Sequence, residues 1–309
     1  MSRKMLSIIC CLFFALDVSR GVLIKSEDHV AYILNKGRSD AHNVFERISS
    51  MQCECGKPLT NSSGSHSDSL EEPLPWLAVI ATKKDNRWEM SCSGSLINSH
   101  YVSTSANCFG GDRVRGKFDA IFGVVDESSL SKSDGSVDFR SIAEVLTHRL
   151  QDSEPIQFPI ALARLEKPFD FSKTRIRPVC LPNIHESRTF MHKPVEIIGY
   201  RSSEDGNSIK LYRHSTKVVH HSECQKTRSR IPFSTLCLAL DSRISCEYED
   251  GSPVFVRDND RFLQVGFNSR NEDNCESSSS RTLLFSRMTA FTDFTLFGSI
   301  KPSGISNCY

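Results

Sequence analysis

The sequence predicts an all-β fold, a barrel or a sandwich, closed by one short C-terminal helix. Short apolar runs recur between turn residues from Pro73 onward: Trp76–Ala81, Tyr101–Ser105, Ala120–Val125, Ile160–Leu165, Val195–Tyr200, Pro253–Val256 and Phe262–Phe267. Runs of that length and spacing are the signature of strands in a barrel or sandwich. Near the end, Met288, Phe291 and Phe294 fall at i, i+3 and i+6, which places them on one face of a helix. The chain has 309 residues, 39% of them hydrophobic, so a full core can be buried. All-β folds of ~200–250 residues form single domains. No internal repeat is present.

The preceding residues have a different texture. Met1 to Gly21 has the form of a secretory signal peptide, with basic Arg3 and Lys4, an apolar run from Met5 to Leu16, and small Ser19 and Gly21 near a cleavage point. The apolar run is shorter than the ~20 residues that span a bilayer, and no other segment comes closer. The mature chain is therefore expected to be soluble, extracellular and without a membrane span. Residues 22–52 are polar, with a weak helical pattern at Val30, Ile33 and Leu34. Gly56 to Pro75 is rich in Ser, Gly and acids and reads as linker. Asn61-Ser62-Ser63 is a glycosylation sequon in that exposed stretch.

Net charge is +1, which argues against nucleic acid or an anionic membrane as the main partner. The pairs Arg175/Arg177 and Arg228/Arg230 are expected to be solvated surface. Of twelve cysteines, Cys10 and Cys11 lie in the leader, and the remaining ten are an even number in an oxidising compartment. That favours a disulfide framework. Cys53-Glu54-Cys55 lacks the two-to-four-residue gap of a structural zinc site, so no metal and no cofactor is expected.

Gly94-Ser95-Leu96-Ile97, an apolar strand and then Ala106-Asn107-Cys108 resemble the first catalytic segment of trypsin/chymotrypsin-like (S1) serine proteases, where Ala-His-Cys carries the general base. Pro75-Trp76-Leu77-Ala78-Val79 is similar to the family's first strand. Ile160 to Leu165 with Pro178-Val179-Cys180-Leu181-Pro182 resembles the stretch after the catalytic aspartate and the connection between barrels. Gln264 to Ser269 followed by Cys275 resembles the strand beside the specificity pocket, and Phe285–Phe297 the C-terminal strand and helix. The order is the family order. The resemblance implies two antiparallel six-stranded β-barrels over residues 73–298, with a cleft between them and a tail at 299–309. It also implies bridges Cys92–Cys108, Cys224–Cys237 and Cys246–Cys275, and a tether from Cys55 to Cys180. Cys53 and Cys308 are left as a pair, with an intermolecular bond through either as the alternative.

Position by position, the resemblance implies a failed triad. The base position holds Asn107, whose amide has no lone pair that titrates near neutrality. The orienting carboxylate's place holds Pro159, with Asp152 and Glu154 the nearest upstream acids. The nucleophile's place, four after Cys246 and three before Pro253, holds Asp250. Ser252 lies two positions too late, with its side chain expected to point away from the cleft. Tyr248 stands where a glycine N–H helps bind the oxyanion, and Ile244 stands at the pocket floor. Between Gly56 and Trp76, Lys57 is the only lysine or arginine and no activation motif follows it, so Glu249 has no new amine to meet. His148, His220 and His221 are expected to be packing or surface residues.

The resemblance thus implies a secreted, non-catalytic homologue of the kind common in arthropods. Such a protein would bind or regulate extracellular proteins, proteases or their zymogens among them, in an immune, melanisation or reproductive-fluid cascade. A hydrolase with a rearranged site and an adhesion or structural protein are the alternatives.

Overall fold

The computed structural model describes residues 54–59, 73–85, 87–109, 118–132, 134–148, 160–183, 186–202, 208–226, 231–240, 248–269 and 282–299, without the side chains of 296–299. The leader, residues 22–52, Asn61, Pro159, Ile244, Cys53, Cys246, Cys275 and Cys308 lie outside them.

Two β-sheets account for the architecture. The first is a closed barrel of six antiparallel strands: β1 (Leu77–Lys84), β2 (Arg87–Leu96), β3 (Tyr101–Ser105), β4 (Phe118–Phe122), β5 (Asp138–His148) and β6 (Ile160–Leu165), in the order β1-β2-β3-β6-β5-β4. Tyr101–Ser105 and Ile160–Leu165 pair residue for residue, from Tyr101 with Arg164 to Ser105 with Ile160. Every residue of β3 is buried, which is why it is an uninterrupted apolar or small run without alternation.

The second sheet contains β7 (Pro194–Ser202), β8 (Ile209–Lys217), β9 (Thr235–Ala239), β10 (Pro253–Asp258), β11 (Arg261–Phe267) and β12 (Thr282–Arg287), ordered β8-β7-β10-β11-β12-β9. It is a six-stranded sheet curled into a half-barrel. Its edges β8 and β9 touch through a bridge at Val218–Leu238, and Thr216 Oγ1 donates to the Ala239 carbonyl at 2.6 Å. Two helices attend it: α1 (His221–Gln225), capped by the His220 ring accepting from the Ser222 N–H, and α2 (Thr292–Ser299), entered through a 3₁₀ turn at Met288–Phe291.

A continuous apolar core joins the sheets. Trp76, at the entry to β1, is fully buried and meets Phe255 of β10 and Phe262 of β11 at ring distances of 6.0 and 5.4 Å. Disulfides join Cys92 to Cys108, Cys224 to Cys237 and Cys55 to Cys180, as the resemblance implied.

Candidate functional site

The candidate site lies on the seam between the sheets and is built by three short segments. The first is the end of β3 with its following 3₁₀ turn, Ala106–Phe109. Asn107 sits there, exposed, its backbone N–H donating to Ser105 Oγ at 3.2 Å. The Cys92–Cys108 bond ties this turn to β2. Ser105 Oγ also meets Ser269 Oγ at 3.2 Å, which fixes the first barrel onto the end of β11.

The second segment is Tyr248–Ser252, leading into β10. Its backbone crosses the seam: the Ser93 N–H donates to the Asp250 carbonyl at 2.9 Å, and the Gly251 N–H to the Asn268 carbonyl at 2.7 Å. Gly251 has φ +76°, and a Cβ there would collide with the Ser93 carbonyl oxygen and Thr104 Oγ1. Only glycine meets both demands.

Asn268, at the end of β11, supplies the third segment. Its buried amide Nδ2 donates to the carbonyls of Tyr248 at 2.8 Å and Glu249 at 3.2 Å. Ser252 Oγ donates to the same Glu249 carbonyl at 2.6 Å and accepts from the Tyr212 hydroxyl at 2.7 Å. The turn is thus held from inside by two side chains. Glu249 Oε1 accepts from Ser202 Oγ at 3.3 Å.

Tyr248 does not line an open cleft. Its ring is 5% exposed and packs against Tyr212, His214 and Phe285, with centroids 5.5–5.7 Å apart. Its hydroxyl lies 3.2 Å from His214 Nδ1. The tyrosine therefore belongs to the interior of the second sheet, and its carbonyl is held by Asn268 Nδ2.

The buried polar side chains of this turn are taken up by hydrogen bonds. Ser252 is fully buried, with its proton committed to a carbonyl. Its other polar neighbours are Tyr212 and, at 3.5 Å, Ser93 Oγ. Burial pushes the Tyr212 hydroxyl well above the ordinary phenol range, and the bond to Ser252 offsets this only in part. Tyr212 therefore stays protonated and donates. Among the described residues no group of three His, Cys, Asp or Glu side chains could hold a metal ion.

The seam brings Asn107, Asp250, Tyr248 and Ser252 onto one hydrogen-bonded framework. The clamp of Asn268 and Tyr212 was not visible in the sequence. Asn268 gives a faint signal as a polar residue ending an apolar strand, and Tyr212 gives none. His148 is buried beside Phe291 and Phe294, and His220 and His221 serve α1.

Residues 63–295, well over half of the chain, match the family model described as trypsin. The chain belongs to the trypsin family. Among curated relatives it is 29% identical over 225 residues to phenoloxidase-activating factor 1 of Holotrichia diomphalia, a match covering 64% of this chain and 60% of that protein. This trypsin-family chain thus spans under two thirds of that relative's length. It is also 20% identical over 197 residues to U21-ctenitoxin-Pn1a of Phoneutria nigriventer, covering 60% of the chain and 78% of the toxin. The crystal structure of the Drosophila Grass clip serine protease of the Toll pathway superposes with a TM-score of 0.66. That likeness covers 82% of this chain and 76% of Grass at 20% identity, which establishes a shared fold. No helix among the described residues is long and apolar enough to cross a membrane.

Proposed function

We propose that this trypsin-family chain is catalytically silent and acts as an extracellular binding or regulatory protein in a proteolytic cascade. The reading is supported by the motif spacing, which assigns an exposed carboxamide, Asn107, and a carboxylate, Asp250, to the positions where the family's hydrolysis needs an imidazole and a hydroxyl. An amide takes no proton from a nucleophile at neutral pH. A carboxylate can act as a nucleophile, but the motif spacing assigns Asn107 and Pro159 to the positions of the base and the orienting acid that would assist it. The motif spacing assigns Tyr248, which is buried and hydrogen-bonded through its carbonyl, to the position where the family has a glycine whose N–H aims at the oxyanion.

A protease fold without chemistry keeps its loops, and loops change recognition without disturbing the barrels. An uncut peptide held along a strand edge uses main-chain hydrogen bonds the fold already offers. The named roles of phenoloxidase-activating factor 1 and Grass point to an immune or melanisation cascade, with a reproductive fluid as the other setting. The leader-like start, the disulfides and the Asn61 sequon support secretion and glycosylation.

The decisive experiment pairs two measurements on the purified secreted protein. Incubation with a broad fluorogenic peptide library and a fluorophosphonate probe should give neither turnover nor labelling. Affinity capture from the native extracellular fluid should recover a protease, a zymogen or another cascade protein. Stoichiometric labelling, or turnover that follows the protein through purification, would overturn the reading.

A further inference from the structure

Arg287 ends β12, and its backbone N–H donates to the Ser234 carbonyl at 2.6 Å, just before β9 begins. Thr235 and Ser286 form the adjacent pair of the ladder, so Arg287 and Ser234 stand opposite each other at its end. The guanidinium is half-buried. Its Nε and Nη2 both donate to the Thr235 carbonyl, at 3.2 and 3.1 Å. That carbonyl takes the Nε–Nη2 edge of the fork. Both N–H groups of Nη1 and the second one of Nη2 are left on the other edge.

No carboxylate meets this cation. Among the described residues none lies within 4 Å of it, and the acid of the neighbouring α1, Glu223, is taken by Lys226 at 2.7 Å. Burial moves the Arg287 pKa downward, and no acid offsets that movement. A carbonyl carries only a partial charge, so it offsets the desolvation of the guanidinium only in part. Ser234 adds a second unmet group. The residue is 7% exposed, and its Oγ is shut off from solvent without a hydrogen-bond partner. By contrast, Arg213 and Arg257 of the same sheet share Glu196.

We propose that Arg287 and Ser234 form a binding site for one oxyanion, the phosphate, sulfate or carboxylate group of a ligand. The open Nη1–Nη2 edge presents two parallel N–H donors, which match two oxygens of such a group. The Ser234 hydroxyl, turned about χ1, gives a third donor from across the ladder. A bound anion supplies the counter-charge that the guanidinium lacks, in half-buried surroundings that strengthen the pair. A basic or uncharged group supplies none.

The test titrates the full mature chain calorimetrically with inorganic phosphate, phenyl phosphate and acetate, at an ionic strength held constant with chloride. Saturable binding of at least one probe is expected. Arg287→Gln should weaken it by about tenfold and Ser234→Ala by about threefold. Arg175→Gln, at an exposed position on the first barrel, should leave it unchanged. Arg287→Lys keeps the charge without the fork and should weaken binding by about fivefold, which decides the outcome if the glutamine variant fails to fold. The unaltered protein gives a separate readout: saturating phosphate should slow phenylglyoxal modification of Arg287, and not of Arg175, in peptide mass maps. A preference for phenyl phosphate over inorganic phosphate would assign the oxyanion to an ester on a larger ligand. Equal affinity for those two would assign it to the free ion, and a preference for acetate to a carboxylate. No saturable heat from any of the three probes, or undiminished affinity in a folded Arg287 variant, would overturn the proposal.

Discussion

At the seam, Asn107 is exposed on the turn after β3, while the backbone around Asp250 is held from both sheets. The Ser93 N–H meets the Asp250 carbonyl, and Gly251 occupies a positive-φ conformation in which a side chain would collide with Ser93 and Thr104. The sequence singles out those positions because each lies at a fixed step from a cysteine, glycine or proline. The clamp was not legible, because Asn268 and Tyr212 reach Tyr248–Ser252 from 20 and 40 residues away, and no local pattern encodes such contacts. The direction of the Tyr248 side chain was not legible in the sequence: its ring turns into the second sheet, where an aromatic gains from burial. Two predictions follow at this scale. Restoring Asn107→His, Pro159→Asp and Asp250→Ser together should leave turnover at least ~10²-fold below an active homologue, because the oxyanion donor remains compromised. Efficient hydrolysis by that triple variant would mean Tyr248 is harmless to the oxyanion site. Gly251→Ala should lower stability by ~2–4 kcal/mol, combining positive-φ strain with overpacking against Ser93 and Thr104. A urea midpoint equal to wild type would show that the turn relaxes at no cost.

At the level of elements, legibility followed uninterrupted apolar runs more than burial alone, since the buried β9 (Thr235–Ala239) was not read either. β3 and β6 are covered almost throughout, so their sequences are plain apolar runs and were read with the boundaries they have. β5 and β8 were missed because they carry charged and polar residues at half-exposed positions (Arg140, Glu144, Arg213, His214), so no run forms. Helix α1, five residues long, is too short to show a period and is set by its cap and the Cys224–Cys237 bond. The C-terminal helix was legible from Met288, Phe291 and Phe294, although its first turn is 3₁₀. That helix packs on His148 of β5, whose ring lies 5.5 Å from Phe291 and 5.2 Å from Phe294 and whose Nδ1 is buried without a partner. Burial holds the His148 pKa below the ordinary 6.5, so the fold favours the neutral ring. The unfolded chain then binds the proton more readily, and stability is lost as pH falls through about 6.5 and levels off below the folded value. Urea midpoints at pH 7.5 and 5.0 should therefore drop more for wild type than for His148→Phe. Equal drops in the two proteins would remove His148 from the acid sensitivity.

For the whole molecule, the two sheets are joined by the Trp76 contacts, by the seam hydrogen bonds and by a short piece of chain from before the barrels. That piece, Glu54–Leu59, lies beside β11. The Gly56 N–H donates to the Pro178 carbonyl at 2.9 Å, and the Phe262 N–H donates to the Gly56 carbonyl at 2.8 Å. Gly56 has φ +66°, and a side chain there would strike the Phe262 carbonyl oxygen. The tether was legible from Cys55-Gly56 and Cys180 as a family feature, but its contact with β11 was not, since nothing in a six-residue polar stretch announces a strand neighbour. The Cys55–Cys180 bond has a sequence separation of 125, so it restricts a long loop in the unfolded chain. The chain-entropy limit for a loop of that size is about 5 kcal/mol, and native bridges commonly contribute ~2–4 kcal/mol. Replacing both cysteines by serine should therefore lower unfolding stability by about 2–4 kcal/mol while leaving the Gly56 hydrogen bonds and the circular-dichroism spectrum in place. Peptide mapping of the unreduced variant should still return Cys92–Cys108 and Cys224–Cys237, together with the expected Cys246–Cys275. A loss under ~0.5 kcal/mol would mean the segment is held by Gly56 and its neighbours alone. Collapse of the remaining bridges into mixed pairings would mean the tether organises the second sheet as well as restricting the unfolded chain.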